Sequence, residues 1–147
     1  MIPDVRDYEA LRREFRWQVP RLYNIGVDVC DRWAAAEPQR AALLNARGDG
    51  RIEEISYGAL REASNRLTNV LAAHGIGRGD RVAILLPQVP EAAIAHIAIY
   101  KLGAVALPLA VLFGVDALSY RLQNAGVKAI VCSAPSRLKI RSASAIT

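Results

Sequence analysis

The chain has 147 residues, 52% hydrophobic and 22% charged, with 19 Lys and Arg against 14 Asp and Glu for a net charge of +5. This balance excludes a disordered chain and leaves room for one ordinary domain with a core. The arginines are scattered, without the dense basic patch or aromatic interleaving that nucleic-acid binding requires, so no nucleic-acid partner is expected.

Residues 1–20 carry Tyr8, Leu11 and Phe15 at helical spacing among Arg and Glu, which predicts an amphipathic helix closed by Pro20. The opening residues are charged throughout and lack the apolar run of a secretory signal. From Tyr23 the pairs Val27/Asp31 and Val29/Trp33 predict a second helix, broken at Pro38. Ala41–Ser56 reads as a hairpin around Gly48-Asp49-Gly50, with Ile52 and Ile55 among charges on a partly exposed second strand. Ser56–His74 predicts a helix. Ser56 is its N-cap; Leu60, Ala63, Leu67, Val70 and Leu71 form its apolar stripe; Gly75 takes the left-handed position beyond its end.

The pattern then alternates. Arg81–Leu86 is a nearly continuous apolar run, typical of a parallel strand covered on both faces. Pro90 and Glu91 open a helix that runs to Leu102, apolar nearly all round, with Lys101 in its last turn and Gly103 as its stop. Ala104–Leu107 predicts a second strand, Val115–Asn124 a helix stopped by Gly126, and Val127–Cys132 a third strand. The expected fold class is α/β: N-terminal helices and a β-hairpin, then a βαβαβ parallel-sheet unit with right-handed crossovers. Ala92–Val115 approaches the length of a membrane span. Gly103 and Pro108 interrupt it, and Lys101 within the bilayer would cost about 3 kcal/mol. A buried helix followed by a strand is the expectation there. The last residues, 133–147, are rich in Ser and basic residues and predict no element.

Gly75, Gly77 and Gly79 invite comparison with a phosphate loop. Such loops follow a strand and open a helix, so that free N–H groups meet the anion. These glycines follow a helix and enter a strand, and Asp80 stands where a third fingerprint glycine is needed. The expectation is a helix stop and a turn. His74 reads as a cap or surface residue, and His96 has no partner at ligand spacing. Asp28 and Asp31 read as a solvated helix face rather than a carboxylate pair, and Ser64 and Ser119 lack His–Asp context. Cys30 and Cys132 have no metal spacing and read as structural thiols of a reducing, cytoplasmic compartment.

Several short strings occur together: Ser56-Tyr57-Gly58, Ser64-Asn65-Arg66-Leu67, Gly79-Asp80-Arg81-Val82-Ala83, Pro90-Glu91, Lys101-Leu102-Gly103-Ala104-Val105 and Pro108-Leu109. Together they resemble the N-terminal region of AMP-forming acyl-CoA synthetases, members of the adenylate-forming (AMP-binding) family. Leu112-Phe113-Gly114, Tyr120-Arg121-Leu122 and the stretch from Tyr23 to Ala35 are similar to its acetyl-CoA and medium-chain branch. The resemblance covers Tyr23 to Cys132 and fades beyond. Ala59 stands where family members carry a glutamate that completes a capping box, which implies a weaker helix start.

The resemblance implies a ligase reaction in which a carboxylic acid and ATP give an acyl-adenylate, and CoA then displaces AMP, with magnesium stabilising the developing charge. The family's phosphate loop with its lysine, its later nucleotide and magnesium motifs and its C-terminal domain have no counterpart in these residues. The resemblance therefore assigns no catalytic, cofactor-binding or metal residue here and implies a portion of an enzyme cut short and inactive alone. Leu112, Phe113 and Gly114 follow a strand end, where α/β sheets place ligands, and are expected to border the substrate cleft of a complete enzyme; plain packing is the other reading. The implied organisation is a helical segment at 1–40, a partial AMP-binding domain at 41–132 and a divergent, disordered tail at 133–147. Apolar surface left uncovered around Pro90–Leu102 is expected to favour self-association. The alternative is a small α/β binding or interaction module that kept the fold without the chemistry.

Overall fold

Parallel pairing of Arg81–Leu85 with a strand on either side organises the chain. In a computed structural model, which describes residues 7–17 and 20–144, the elements in order are α1 (Tyr8–Glu14), α2 (Arg32–Ala36), β1 (Ala41–Ala46), β2 (Ile52–Ser56), α3 (Tyr57–Ala73), β3 (Arg81–Leu85), α4 (Pro90–Lys101), β4 (Val105–Pro108), α5 (Val115–Ala125), β5 (Val127–Cys132) and α6 (Ser136–Ser144). β1 and β2 form an antiparallel hairpin. The other three strands form a parallel sheet in the order β4-β3-β5. This is the expected α/β architecture with its βαβαβ unit.

Alternation along β3 feeds two cores. Val82 and Ile84 face α3 and α4 and pack with Leu71, Ala95 and Ile99. Ala83 and Leu85 face the opposite side and pack with Leu118 of α5 and Ala143 of α6. A strand covered on both faces has no place for polar side chains, which explains its unbroken apolar run. α4 is likewise sunk on several sides, with Ala95, Ile97, Ala98 and Ile99 all buried.

The Gly75–Gly79 stretch is the turn its order implied. Gly75 and Gly79 have φ of +76° and +83°, which side-chain-bearing residues rarely adopt. The loop's N–H groups are used internally. Gly75 donates to Ala72 O (2.9 Å), Gly79 to Gly103 O (3.0 Å) and Gly77 to Asp80 Oδ2 (2.9 Å). Asp80 also pairs with Lys128 Nζ at 2.6 Å. Arg81 reaches past the strand: its Nε donates to Ala125 O (2.8 Å) and its Nη2 to Gly126 O (2.9 Å), clasping the end of α5. The Gly-Asp-Arg string is thus a joint between a loop, two strands and a helix.

Residues Asn24–Ala36 dock on α3 and α4. Val27–Asp31 form a π-helical turn that runs into α2. Buried Cys30 packs with Leu60 and Ile97. Asn24 Nδ2 donates to Lys101 O at 3.0 Å.

Four expectations need correction. The first helix covers only Tyr8–Glu14 of the expected 1–20, with Phe15 already extended at its end; residues 1–6 and 18–19 lie outside the described residues. The tail after Cys132 is not without structure. Ser136–Ser144 form α6, whose Ile140 and Ala143 join the core under α5. Its polar, basic composition hid a narrow apolar stripe, with Ala143 buried and Ile140 half-buried. Val70, expected on the apolar stripe of α3, is exposed, and Ser64 is fully buried in that helix instead. Asp28 is a surface residue paired with Arg32, but Asp31 turns inward toward Lys101.

Candidate functional site

The C-terminal ends of β3 and β4 open into a cleft of about 740 Å³, roofed on one side by β1. Its walls are largely apolar: Leu43 and Leu44 from the hairpin, Ile84 and Leu86 from the β3 end, Pro108 and Leu109 after β4. This is the ligand-binding end of open α/β sheets. The Pro87–Pro90 turn and the first turn of α4 form the floor.

Among the described residues, His96 is the one titratable side chain lining this cleft. Its Nδ1 lies 3.1 Å from Tyr100 OH, one helical turn on. Burial pushes its imidazole below the usual histidine range, so the ring is neutral near pH 7. A lone neutral imidazole beside apolar walls supplies no charge for an anionic substrate.

The expected cleft-border residues sit on the loop beyond Ala110. Leu112 is 91% exposed at the loop tip. Phe113 packs on the α5 core under the Arg121 guanidinium, 4.2 Å from the ring centroid. Gly114 is the N-cap of α5, with extended backbone. None of the three lines the 740 Å³ cleft, which ends at Ala110 on this loop. His74 is on the surface, its Nδ1 2.9 Å from Val70 O. Ser119 donates to Val115 O and Ala143 O, binding α6 to α5. Both cysteines are free thiols, and burial raises the Cys30 pKa.

The polar cluster that sequence reasoning missed lies elsewhere. Lys101, with its side chain 7% exposed, holds Asp31 Oδ1 at 2.6 Å and donates to Ser64 Oγ (3.0 Å) and Asn65 Oδ1 (2.6 Å). Its partners come from two other elements, Asp31 from the π-helical turn and Ser64 and Asn65 from α3, 36 or more residues away in the chain, so no local spacing signals it. The cluster joins segments and faces no cleft.

No His, Cys, Asp and Glu grouping among the described residues is arranged to hold a metal ion. With the glycine loop's N–H groups already engaged, these residues do not fit a magnesium–triphosphate group. No helix among them is long and apolar enough to cross a membrane.

The fold is an open α/β sheet with a largely apolar cleft at the C-terminal ends of its strands. Residues 30–146 match the AMP-binding enzyme family, and the chain belongs to that family. The match extends through α6, so the similarity does not fade at Cys132. The chain is 30% identical over 131 residues to the mitochondrial acyl-coenzyme A synthetase ACSM3 of Rattus norvegicus, covering 85% of this chain and 23% of that protein. It is 35% identical over 124 residues to an acetyl-coenzyme A synthetase of Caulobacter vibrioides, covering 82% and 19%. A crystal structure of a Brucella canis acyl-CoA synthetase superposes with a TM-score of 0.83 at 29% identity, covering 91% of this chain and 26% of that one. The chain thus spans about a fifth to a quarter of the length of these relatives.

Proposed function

We propose that this sequence is the N-terminal architectural portion of an AMP-forming acyl-CoA synthetase, acting on a carboxylic acid with ATP and CoA in the cytoplasm. The observation that carries the reading is the fold match to an acyl-CoA synthetase over nine-tenths of the chain. Its contribution is a rigid wall: the β4-β3-β5 sheet and α4 hold the strand-end cleft, and the loop Leu112–Gly114 borders the substrate cleft of the complete enzyme. The 147 residues by themselves do not activate carboxylates. Adenylation needs donors arranged around a triphosphate and an aligned nucleophile, and such positioning accounts for many orders of magnitude in rate.

Two measurements test this. Purified chain is assayed for ATP–pyrophosphate exchange with acetate, butyrate and octanoate, and the expected result is no exchange above background. The chain's residues 30–144 are then grafted in place of the matching region of the Caulobacter vibrioides acetyl-coenzyme A synthetase. The graft is expected to retain acetate-dependent exchange. Exchange by the chain alone, or a folded but inactive graft, overturns the reading.

A further inference from the structure

The loop from β4 to α5 is gripped by two cationic side chains, Arg121 from α5 and Lys139 from α6. We propose that Lys139 and Arg121 are positioning residues that hold this loop, at the ligand end of the sheet, in one conformation. That the loop borders a substrate cleft rests on the function proposed above; that it is held does not.

The loop's own backbone is lightly tied. Leu109 N–H donates to Ile84 O at 2.9 Å, the last bond to the sheet. Phe113 N–H donates to Ala110 O at 3.1 Å and closes a turn over Ala110–Phe113. One such bond does not offset the entropy of ordering the turn. Side chains supply the rest. Val111 and Phe113 pack on the core beneath α5, while Leu112 between them is turned out to solvent.

The two cations act on the two neighbours of Leu112. Lys139 Nζ donates to Val111 O at 2.9 Å, across 28 positions of chain. A bond from an ammonium is stronger than one between neutral groups. The helix that carries Lys139 is itself anchored: Ile140 and Ala143 pack under α5, and Ser119 Oγ donates to Ala143 O at 2.9 Å. On the other neighbour, the Arg121 guanidinium stands 4.2 Å from the Phe113 ring centroid, a favourable cation–ring contact. Its Nη1 donates to Ala117 O at 2.9 Å, which fixes the guanidinium on its own helix. The carbonyl before Leu112 and the ring after it are therefore both clamped. An exposed leucine held in this way is a preorganised contact, met by a ligand without further loss of loop entropy.

The test begins with the full chain and reads amide hydrogen exchange by nuclear magnetic resonance. The reporter is the Phe113 amide, whose bond closes the turn; the Leu109 amide, bonded to the sheet, is the reference. Lys139→Met and Arg121→Ala are each expected to speed Phe113 exchange at least about fivefold and to leave Leu109 at the parent rate. Lys139→Arg keeps a cationic donor and is expected to stay within about twofold of the parent. The second readout is the acetate dependence of exchange in the Caulobacter vibrioides graft, which a helix that merely packs would not move. There Lys139→Met is expected to raise the half-saturating acetate concentration about threefold, with the maximal rate within about twofold, and Lys139→Arg to restore it. A Phe113 amide that exchanges freely in the parent, equal acceleration at Leu109 and Phe113, or an active graft indifferent to Lys139→Met overturns the proposal. A folded but inactive graft removes the proposed function instead, and the exchange comparison alone then decides the positioning.

Discussion

Lys101 Nζ sits 2.6 Å from Asp31 Oδ1, although 70 positions of chain separate them and the lysine side chain is nearly sealed from water. Ser64 Oγ and Asn65 Oδ1 accept from the same ammonium at 3.0 and 2.6 Å, so it is ringed by one carboxylate and two neutral oxygens. A buried ammonium deprived of its carboxylate, or the reverse, is costly because the remaining charge has been moved out of water. Lys101→Met is expected to destabilise the chain by roughly 2 kcal/mol, below the range for fully buried pairs because Asp31 keeps some solvent contact. Urea unfolding of Lys101→Met, Asp31→Leu and the double variant measures it. The double variant should be more stable than the sum of the single losses, and strict additivity would refute the pairing.

Gly26 approaches α4 too closely for any side chain. A Cβ there would stand 2.8 Å from Lys101 Cγ and 3.0 Å from Ile97 O and Lys101 N. Two of those atoms are backbone and have no room to yield. Gly26→Ala is expected to cost about 2 kcal/mol through overpacking. Gly77→Ala, with nothing within 4 Å of the added carbon, is the control and should stay close to the parent in thermal unfolding.

His96 makes stability depend on pH near neutrality. Burial lowers its pKa in the fold, so the unfolded chain binds the proton more readily. The stabilising contribution is complete above the unfolded value of about 6.5 and is lost as pH falls from there toward the lowered folded value. Thermal unfolding between pH 7.5 and 5 (about 2.5 units) should show a falling midpoint in the parent and a flatter profile in His96→Leu. A parallel slope in both proteins would contradict the assignment. Asp80 acts in a lower window. Its carboxyl is held down chiefly by Lys128 and then by the Gly77 N–H, so its contribution is lost only as pH drops below about 4.

Self-association is expected of the isolated chain. The Pro90–Leu102 helix, expected to leave apolar surface uncovered, exposes no apolar side chain, but Trp17, Leu22, Leu112 and Leu138 are largely exposed and the β5 edge has no partner strand among the described residues. Sedimentation velocity across a concentration series should show a weight-average mass rising above the 16.0 kDa monomer, accompanied by binding of a hydrophobic dye. A single monomeric species at every concentration, without dye binding, would exclude it.

The elements from Ala41 to Cys132 were legible because their signals are local. A hydroxyl at Ser56 capping the N–H of Ala59, glycines with left-handed backbone after α3, α4 and α5, and an apolar run at β3 each act within a few residues. The glycine loop's role followed from order alone, since a loop that ends a helix and enters a strand presents no helix N-terminus to an anion. α6 escaped notice because its burial depends on α5 being beside it, and a helix with few apolar residues declares itself only through such a neighbour. The inward turn of Asp31, the burial of Ser64 and the grip of Arg81 on Ala125 and Gly126 are likewise long-range. Charge and hydrogen-bond partners at that separation are chosen by how the helices and strands stack, and residue spacing carries no record of it. Sequence by itself determined the alternation of strands and helices and the family they resemble; which faces meet, which carboxylate is buried and which sheet edge stays open were decided by packing in three dimensions.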